Sequence, residues 1–221
     1  MSTNTQVAFF KEVERLSDKV YSNADPLLIT DRREEFGWVR GYLGDPFAPV
    51  WFVAEAPSLK PIKQARGVLT PDDQWNISKG DALFRKMLAK HDFIQGDART
   101  PSGWQCYITD VVKSSHPVNN WNRLPVSTRL EVAREWAPAL RYEIEQGKPK
   151  LIVIVGKKTE PLLRALESAY LIPRLPQTKT IPHYSYIALR PDGKRGPGHP
   201  EREAEWDAEF ADIVRLAREL T

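Results

Sequence analysis

Three polar residues stand where an apolar run stops. Glu55 ends "VWFVAE", Asp110 ends "CYITD", and His183 follows "TKTIP". A carboxylate at such a point can orient a water or favour a developing cation. A histidine can donate or accept a proton, and an ionised aspartate accepts hydrogen bonds but donates none. Each residue also has a plain structural reading. Glu55 could cap a helix, Asp110 could pair with a lysine or accept backbone donors, and His183 could be a satisfied structural histidine. Their common position at strand ends favours one shared crevice.

The elements that must position them follow from periodicity. Val50–Ala54, Cys106–Val112, Leu151–Val155 and roughly Lys179–Pro182 read as strands. "LIVIV" is the clearest, because a short unbroken apolar run implies a strand covered on both faces, as in a parallel sheet. Helical spacing marks Gln6–Tyr21, Gly80–His91, Ser127–Gln146, Lys158–Tyr170 and Glu201–Leu220. The third of these opens with a capping box, Thr128 to Glu131, and ends at Gly147. Pro138 within it predicts a kink or restart. Strand–helix alternation predicts an α/β fold with a mainly parallel sheet. Leu59–Ser78, Ser114–Pro125 and Arg190–Pro200 read as loops after strand C-termini, where open α/β sheets place their sites.

Composition narrows the class. The chain has 221 residues, 41% hydrophobic and 28% charged, with net charge +3. It reads as one soluble globular domain over residues 1–221. No apolar run approaches the roughly 20 residues of a membrane helix. The start, "MSTNTQVAFFKEVERL", lacks a signal-peptide core and points to the cytoplasm. Cys106 is the only cysteine, so no internal disulfide and no cysteine-ligated zinc or iron–sulfur site of the usual kind is expected. "VIVGKKT" imitates a phosphate loop, but a Walker A loop needs glycine where Leu151 stands, and no G-x-G-x-x-G occurs. Neither nucleotide hydrolysis nor dinucleotide binding is expected on that ground.

Four segments in order resemble the uracil-DNA glycosylase superfamily, in particular its family-4 branch. "VWFVAEAPS" resembles a strand followed by GEAPG, and "YITDVVKSSHP" resembles YITNVVKCRPP. "WAPALRYEIEQGKPKLIVIVGKKT" resembles CxPxLxxQIxxxxPKxIxxLG, and "IPHYSYIALRP" resembles YHPSYLLRxP. "GDALFRKML" fits the helix after the first loop, and the resemblance covers roughly residues 45 to 195. It implies a three-layer α/β/α sandwich around a parallel four-stranded sheet. It also implies an iron–sulfur cluster, two of whose cysteines align with Ser114 and Trp136. The single cysteine forbids that cluster here, so neither cofactor nor metal is expected.

The resemblance implies an enzyme that flips a nucleotide out of DNA and cleaves its N-glycosidic bond. Glu55 then orients water beneath C1′, and His183 donates to O2 of the base. Asp110 stands where the family has the asparagine that reads uracil. Backbone near Ala56 serves the pocket, and Trp75 aligns near the family's stacking phenylalanine. Arg190, Lys194, Arg195 and His199 in "RPDGKRGPGHP", with Ser185, form one expected DNA contact. Lys113, His116 and Arg123 form a second basic edge. DNA is the expected partner, and the chain is expected to be a monomer.

The aspartate shapes the substrate expectation. An ionised carboxylate repels O4 of uracil but accepts from the 4-amino group of cytosine. That predicts poor uracil excision and a modified cytosine as target, such as a hypermodified phage base, which places the protein in antiviral defence. Repair of uracil or another deaminated base is the alternative. A catalytically silent DNA- or nucleotide-binding member of the fold is a second reading, and an unrelated flavodoxin-like binding protein a third.

Overall fold

The computed structural model describes residues 3–23, 42–57, 78–96, 101–113, 118–188 and 200–220. The chain runs α1 (Thr3–Asn23), β1 (Tyr42–Gly44), β2 (Val50–Ala54), α2 (Lys79–Lys90), β3 (Gln95–Gly96), β4 (Pro101–Ser102) and β5 (Cys106–Asp110). It continues α3 (Val118–Arg123), α4 (Val126–Gly147), β6 (Leu151–Val155), α5 (Thr159–Ser168), β7 (Gln177–Ile181), α6 (Tyr184–Ile187) and α7 (Pro200–Glu219).

The unbroken apolar strands are covered on both faces. Along β2, Trp51 and Val53 face one cluster, while Val50, Phe52 and Ala54 face another. Ile152 and Ile154 of β6 join the first cluster, and Leu151, Val153 and Val155 join the second. The first core is closed by α1, α4 and α5, through Val13, Trp136, Leu140 and Leu163 among others. The second is closed by α2 and α7, through Phe84, Leu88, Trp206 and Phe210. A strand alternates its side chains with period two, so apolar residues at every position require two covers. The result is the expected α/β/α sandwich.

The sheet order is β1-β5-β2-β6-β7, with β5, β2, β6 and β7 parallel. The fifth strand, β1, pairs antiparallel with β5 and caps that edge. At three residues it is too short to leave a periodic signal. The four parallel strands all coincide with expected ones, and β7 begins two residues early, at Gln177. Among the described residues no helix is long and apolar enough to cross a membrane.

Helix α4 ends at Gly147 as expected but starts differently. It begins at Val126 after Pro125, which makes no side-chain cap, so the Thr128–Glu131 box does not form at its end. It continues through Pro138, which is exposed while Trp136, Ala137, Ala139 and Leu140 around it are buried. Docking on that face outweighs the lost backbone bond. The left-handed residue at its C-terminus is Lys148 (φ 51°), not Gly147. Gly147 is needed for packing instead: a Cβ there would lie 2.1 Å from Cζ2 of Trp51 and 2.5 Å from the carbonyl of Pro46. The segment expected as a loop over Ser114–Pro125 contains α3, whose Trp121 reaches the first core.

An ion pair joins β5 to α4 inside the protein. Lys113 Nζ lies 2.7 Å from Glu143 Oε2, and both side chains are 0% exposed. Tyr107 donates its hydroxyl to Glu143 Oε1 at 2.7 Å and Thr109 does so at 3.1 Å. Lys113 also donates to Thr109 Oγ1 (2.8 Å) and to the backbone carbonyl of Asp110 (3.2 Å). Removing one partner strands the other charge in low dielectric. Lys113→Met is therefore expected to cost about 3–5 kcal/mol in denaturant unfolding, and the double change with Glu143→Leu to recover most of that loss.

Candidate active site

The register of the parallel strands brings the polar residues to one end of the sheet. Ala54 pairs with Asp110 across β2 and β5. The ladder then continues past both strands, with Val111 N donating to the carbonyl of Ala54 (2.9 Å) and Val112 N to that of Glu55 (3.0 Å). Those bonds hold the backbone of Glu55 at the sheet's rim, with Ala56 next to it and partly exposed. On the far side, Gly156 follows β6 with φ 96°, and its N–H donates to Ile181 (2.8 Å). A Cβ at Gly156 would lie 3.3 Å from Cβ of His183. Glycine there allows both the left-handed turn and this close approach.

Glu55 accepts from Arg129, whose Nη1 lies 2.5 Å from Oε1, and both side chains are largely buried. Arg129 occupies the first turn of α4 and was missed by sequence reasoning. One signal was available: a cation at a helix N-terminus opposes the helix dipole and needs a partner to hold it there.

His183 is the N-cap of α6. Its Nδ1 accepts from Ser185 N (3.1 Å) and lies 2.8 Å from Ser185 Oγ. Since Nδ1 accepts from a backbone amide, the proton of the neutral ring sits on Nε2. Burial pushes the imidazole's pKa down to about 4. The histidine is therefore both a structural cap and a neutral N–H donor. The ring also tilts against Tyr184, with centroids 4.0 Å apart.

Tyr184 anchors α6 to α2. It stacks on Phe84 (5.4 Å, 15°) and hydrogen-bonds Asp81. Gly80 makes room, since a Cβ there would lie 2.8 Å from the tyrosine ring. Asp81 closes a capping box with Ser78, accepting from Ser78 N at 2.9 Å while Ser78 Oγ accepts from Asp81 N at 3.0 Å. Neither Asp81 nor Tyr184 was singled out in the sequence, although Ser78-x-x-Asp81 carried the cap signature.

Asp110 is 1% exposed, and its Oδ2 has no hydrogen-bond partner. Burial raises its pKa to about 8; Lys113 opposes this, and Glu143, Asp81 and Glu55 add to it. Near neutral pH the group is a carboxylic acid. The sequence expectation is an ionised carboxylate; burial favours the protonated form instead.

Lys113 also departs from expectation. It lies inside the protein, bound to Glu143, and offers no basic edge to DNA. Ser185 is exposed beside His183 and serves its ring. Arg123 is exposed at the end of α3. Trp75, His116, Arg190, Lys194, Arg195 and His199 lie outside the described residues.

A cluster of iron and sulfide does not fit these residues. Cys106 is buried within β5, and burial raises its thiol pKa. Trp136, at one aligned ligand position, packs its indole into the first core. Among the described residues no group of three or more His, Cys, Asp or Glu could hold a metal ion.

The family model of the Uracil DNA glycosylase superfamily matches residues 42–204, from β1 into α7. No curated protein matches the chain.

The low pKa of His183 has a definite sign. An unfolded histidine binds a proton near pH 6.5 and the folded one only near 4, so this group's contribution is full above 6.5 and is lost as pH falls toward 4. A nitrogen-15 NMR titration is expected to show His183 neutral, with the proton on Nε2, down to about pH 4. A midpoint near 6.5, or a proton on Nδ1, would contradict the capping geometry.

Proposed function

The chain belongs to the Uracil DNA glycosylase superfamily, and we propose that it is a monofunctional DNA base glycosylase. The observation that carries this reading is the convergence of Glu55, Asp110 and His183 at one rim of the sheet, inside the matched region. A flipped nucleotide presents its sugar to Glu55 and its base edge to Asp110 and His183. As the C1′–N1 bond lengthens, positive charge grows on the sugar and negative charge on the base. The Glu55 carboxylate favours the first and holds a water beneath C1′, with Arg129 fixing its orientation. His183 donates from Nε2 toward O2 of the base and favours the second. The amine of Lys113 is held by Glu143 and is taken to play no part in a lyase step.

The proposed substrate is a modified cytosine. A neutral Asp110 carries one donor and one acceptor, which match N3 and the 4-amino group of a cytosine-type base. Unmodified cytosine must be spared, or the enzyme would destroy its own genome. The target is then a base foreign to the host, such as a hypermodified base of an invading phage, and the role is antiviral defence in the cytoplasm. The protein acts on DNA as a monomer, with Arg190, Lys194 and Arg195 among its phosphate contacts.

One observation favours a second reading. The same neutral acid presents the donor–acceptor pair of an asparagine, so it can also face N3–H and O4 of uracil. The alternative is therefore repair of uracil or another deaminated base.

The test is an oligonucleotide panel bearing uracil, cytosine and 5-substituted cytosines graded in size from methyl to a hexosyl-oxymethyl group, with alkaline cleavage of abasic sites as readout. Excision of a substituted cytosine in preference to uracil supports the proposal, and the reverse supports the repair reading. Glu55→Gln and His183→Ala are each expected to slow single-turnover base release by about 10²–10³-fold, read on protein whose unfolding curve shows it still folded, since one loses the partner of Arg129 and the other the cap of α6. Near-normal rates in both variants would remove the site from consideration.

A further inference from the structure

We propose that Asp110 is the general acid of the reaction, delivering its carboxyl proton to N3 of a cytosine-type base as the glycosidic bond breaks. This goes one step past base recognition and rests on the glycosylase reading above.

The charges around Asp110 carry the argument. From the end of β2 comes Glu55, whose charge Arg129 of α4 already meets at 2.5 Å. From α4 comes Glu143, met by Lys113 at 2.7 Å. From α2 comes Asp81, which has Ser78, Tyr184 and the charge of Arg85 about it. From α6 comes Tyr184, and the helix is capped by the neutral ring of His183. Lys113 adjoins Asp110 most closely, yet its ammonium bonds the backbone carbonyl of Asp110. The cations are thus spent on other carboxylates, and Oδ2 of Asp110 stays buried without a partner. A carboxyl so placed keeps its proton, and burial holds it up to about pH 8. That value suits an acid that works near neutrality.

The leaving group needs such an acid. A departing uracil anion spreads its charge over two carbonyl oxygens. A cytosine-type anion has one carbonyl and a basic N3, so it leaves poorly unless N3 is protonated. In the proposed step the C1′–N1 electron pair passes into the base, and the proton of Asp110 passes to N3. The base leaves neutral and Asp110 becomes a carboxylate. Water held by Glu55 adds its oxygen to C1′ and gives its proton to Glu55. Glu55 then releases that proton to solvent, and Asp110 takes one up.

The test measures single-turnover release from oligonucleotides carrying the graded 5-substituted cytosines and uracil, between roughly pH 6 and pH 9.5. Release of a cytosine derivative is expected to fall about tenfold per pH unit above about 8. Asp110→Asn keeps a donor and an acceptor but has no proton to give. It is expected to lower the ratio of cytosine-type to uracil release by at least about 10²-fold. Level cytosine-type release to pH 9.5, or an unchanged ratio in Asp110→Asn, would overturn the proposal and leave the glycosylase reading intact. Release of no base from any oligonucleotide would overturn both. Carbon-13 NMR of the Asp110 carboxyl in the free protein gives a readout independent of turnover: a midpoint near 8 is expected. A midpoint below about 5, the ordinary carboxylate range, would overturn the acid role alone.

Discussion

The pair between Lys113 and Glu143 is the constraint on which the rest depends. It lies fully inside the protein and ties β5 to α4 through Tyr107 and Thr109. Desolvating two charges is costly, and the added hydroxyl bonds are what make the arrangement tolerable. It also has an electrostatic consequence three residues away. The ammonium that could have neutralised Asp110 is committed elsewhere, so that carboxyl stays uncompensated at the rim of the sheet. Burial is the main cause of the raised pKa of Asp110, and the core pair adds to it through Glu143 while Lys113 opposes it.

Helix α4 concentrates these roles in a single element. Near its start Arg129 fixes Glu55, further along Glu143 holds Lys113, and at its end Gly147 admits the indole of Trp51. A shift of this helix along its axis would disturb all three together. On the opposite face, α2 and α6 are joined by the stack of Tyr184 on Phe84. Both halves of the site are therefore held by helices packed on the sheet, and not by loops alone. Such support is what a catalytic group needs to keep its geometry.

Much of this was legible in the sequence. The unbroken runs at Val50–Ala54 and Leu151–Val155 declared a doubly covered sheet, and Glu55, Asp110 and His183 stood at its strand ends because parallel strands all finish on the same side. What the sequence hid were interactions between distant segments. Arg129 and Glu55 are 74 positions apart. Lys113 looked like a surface base because nothing local marks the carboxylate it meets 30 positions on, near the end of α4. The ionisation of Asp110 depended on that same pair and on burial, neither of which a strand pattern encodes. β1 was missed because three residues do not make a period, and the expected cap at Thr128 failed because α4 starts one turn sooner.

Cys106 offers a last consequence. The chain's single thiol begins β5, between β1 and β2, with no exposed surface. An alkylating reagent can reach it only when β1 or the helices over the second core come away from β5. Its modification rate therefore reports on opening of this part of the fold. One thiol, with no second to confuse the signal, reports on the integrity of the strand that ends in Asp110.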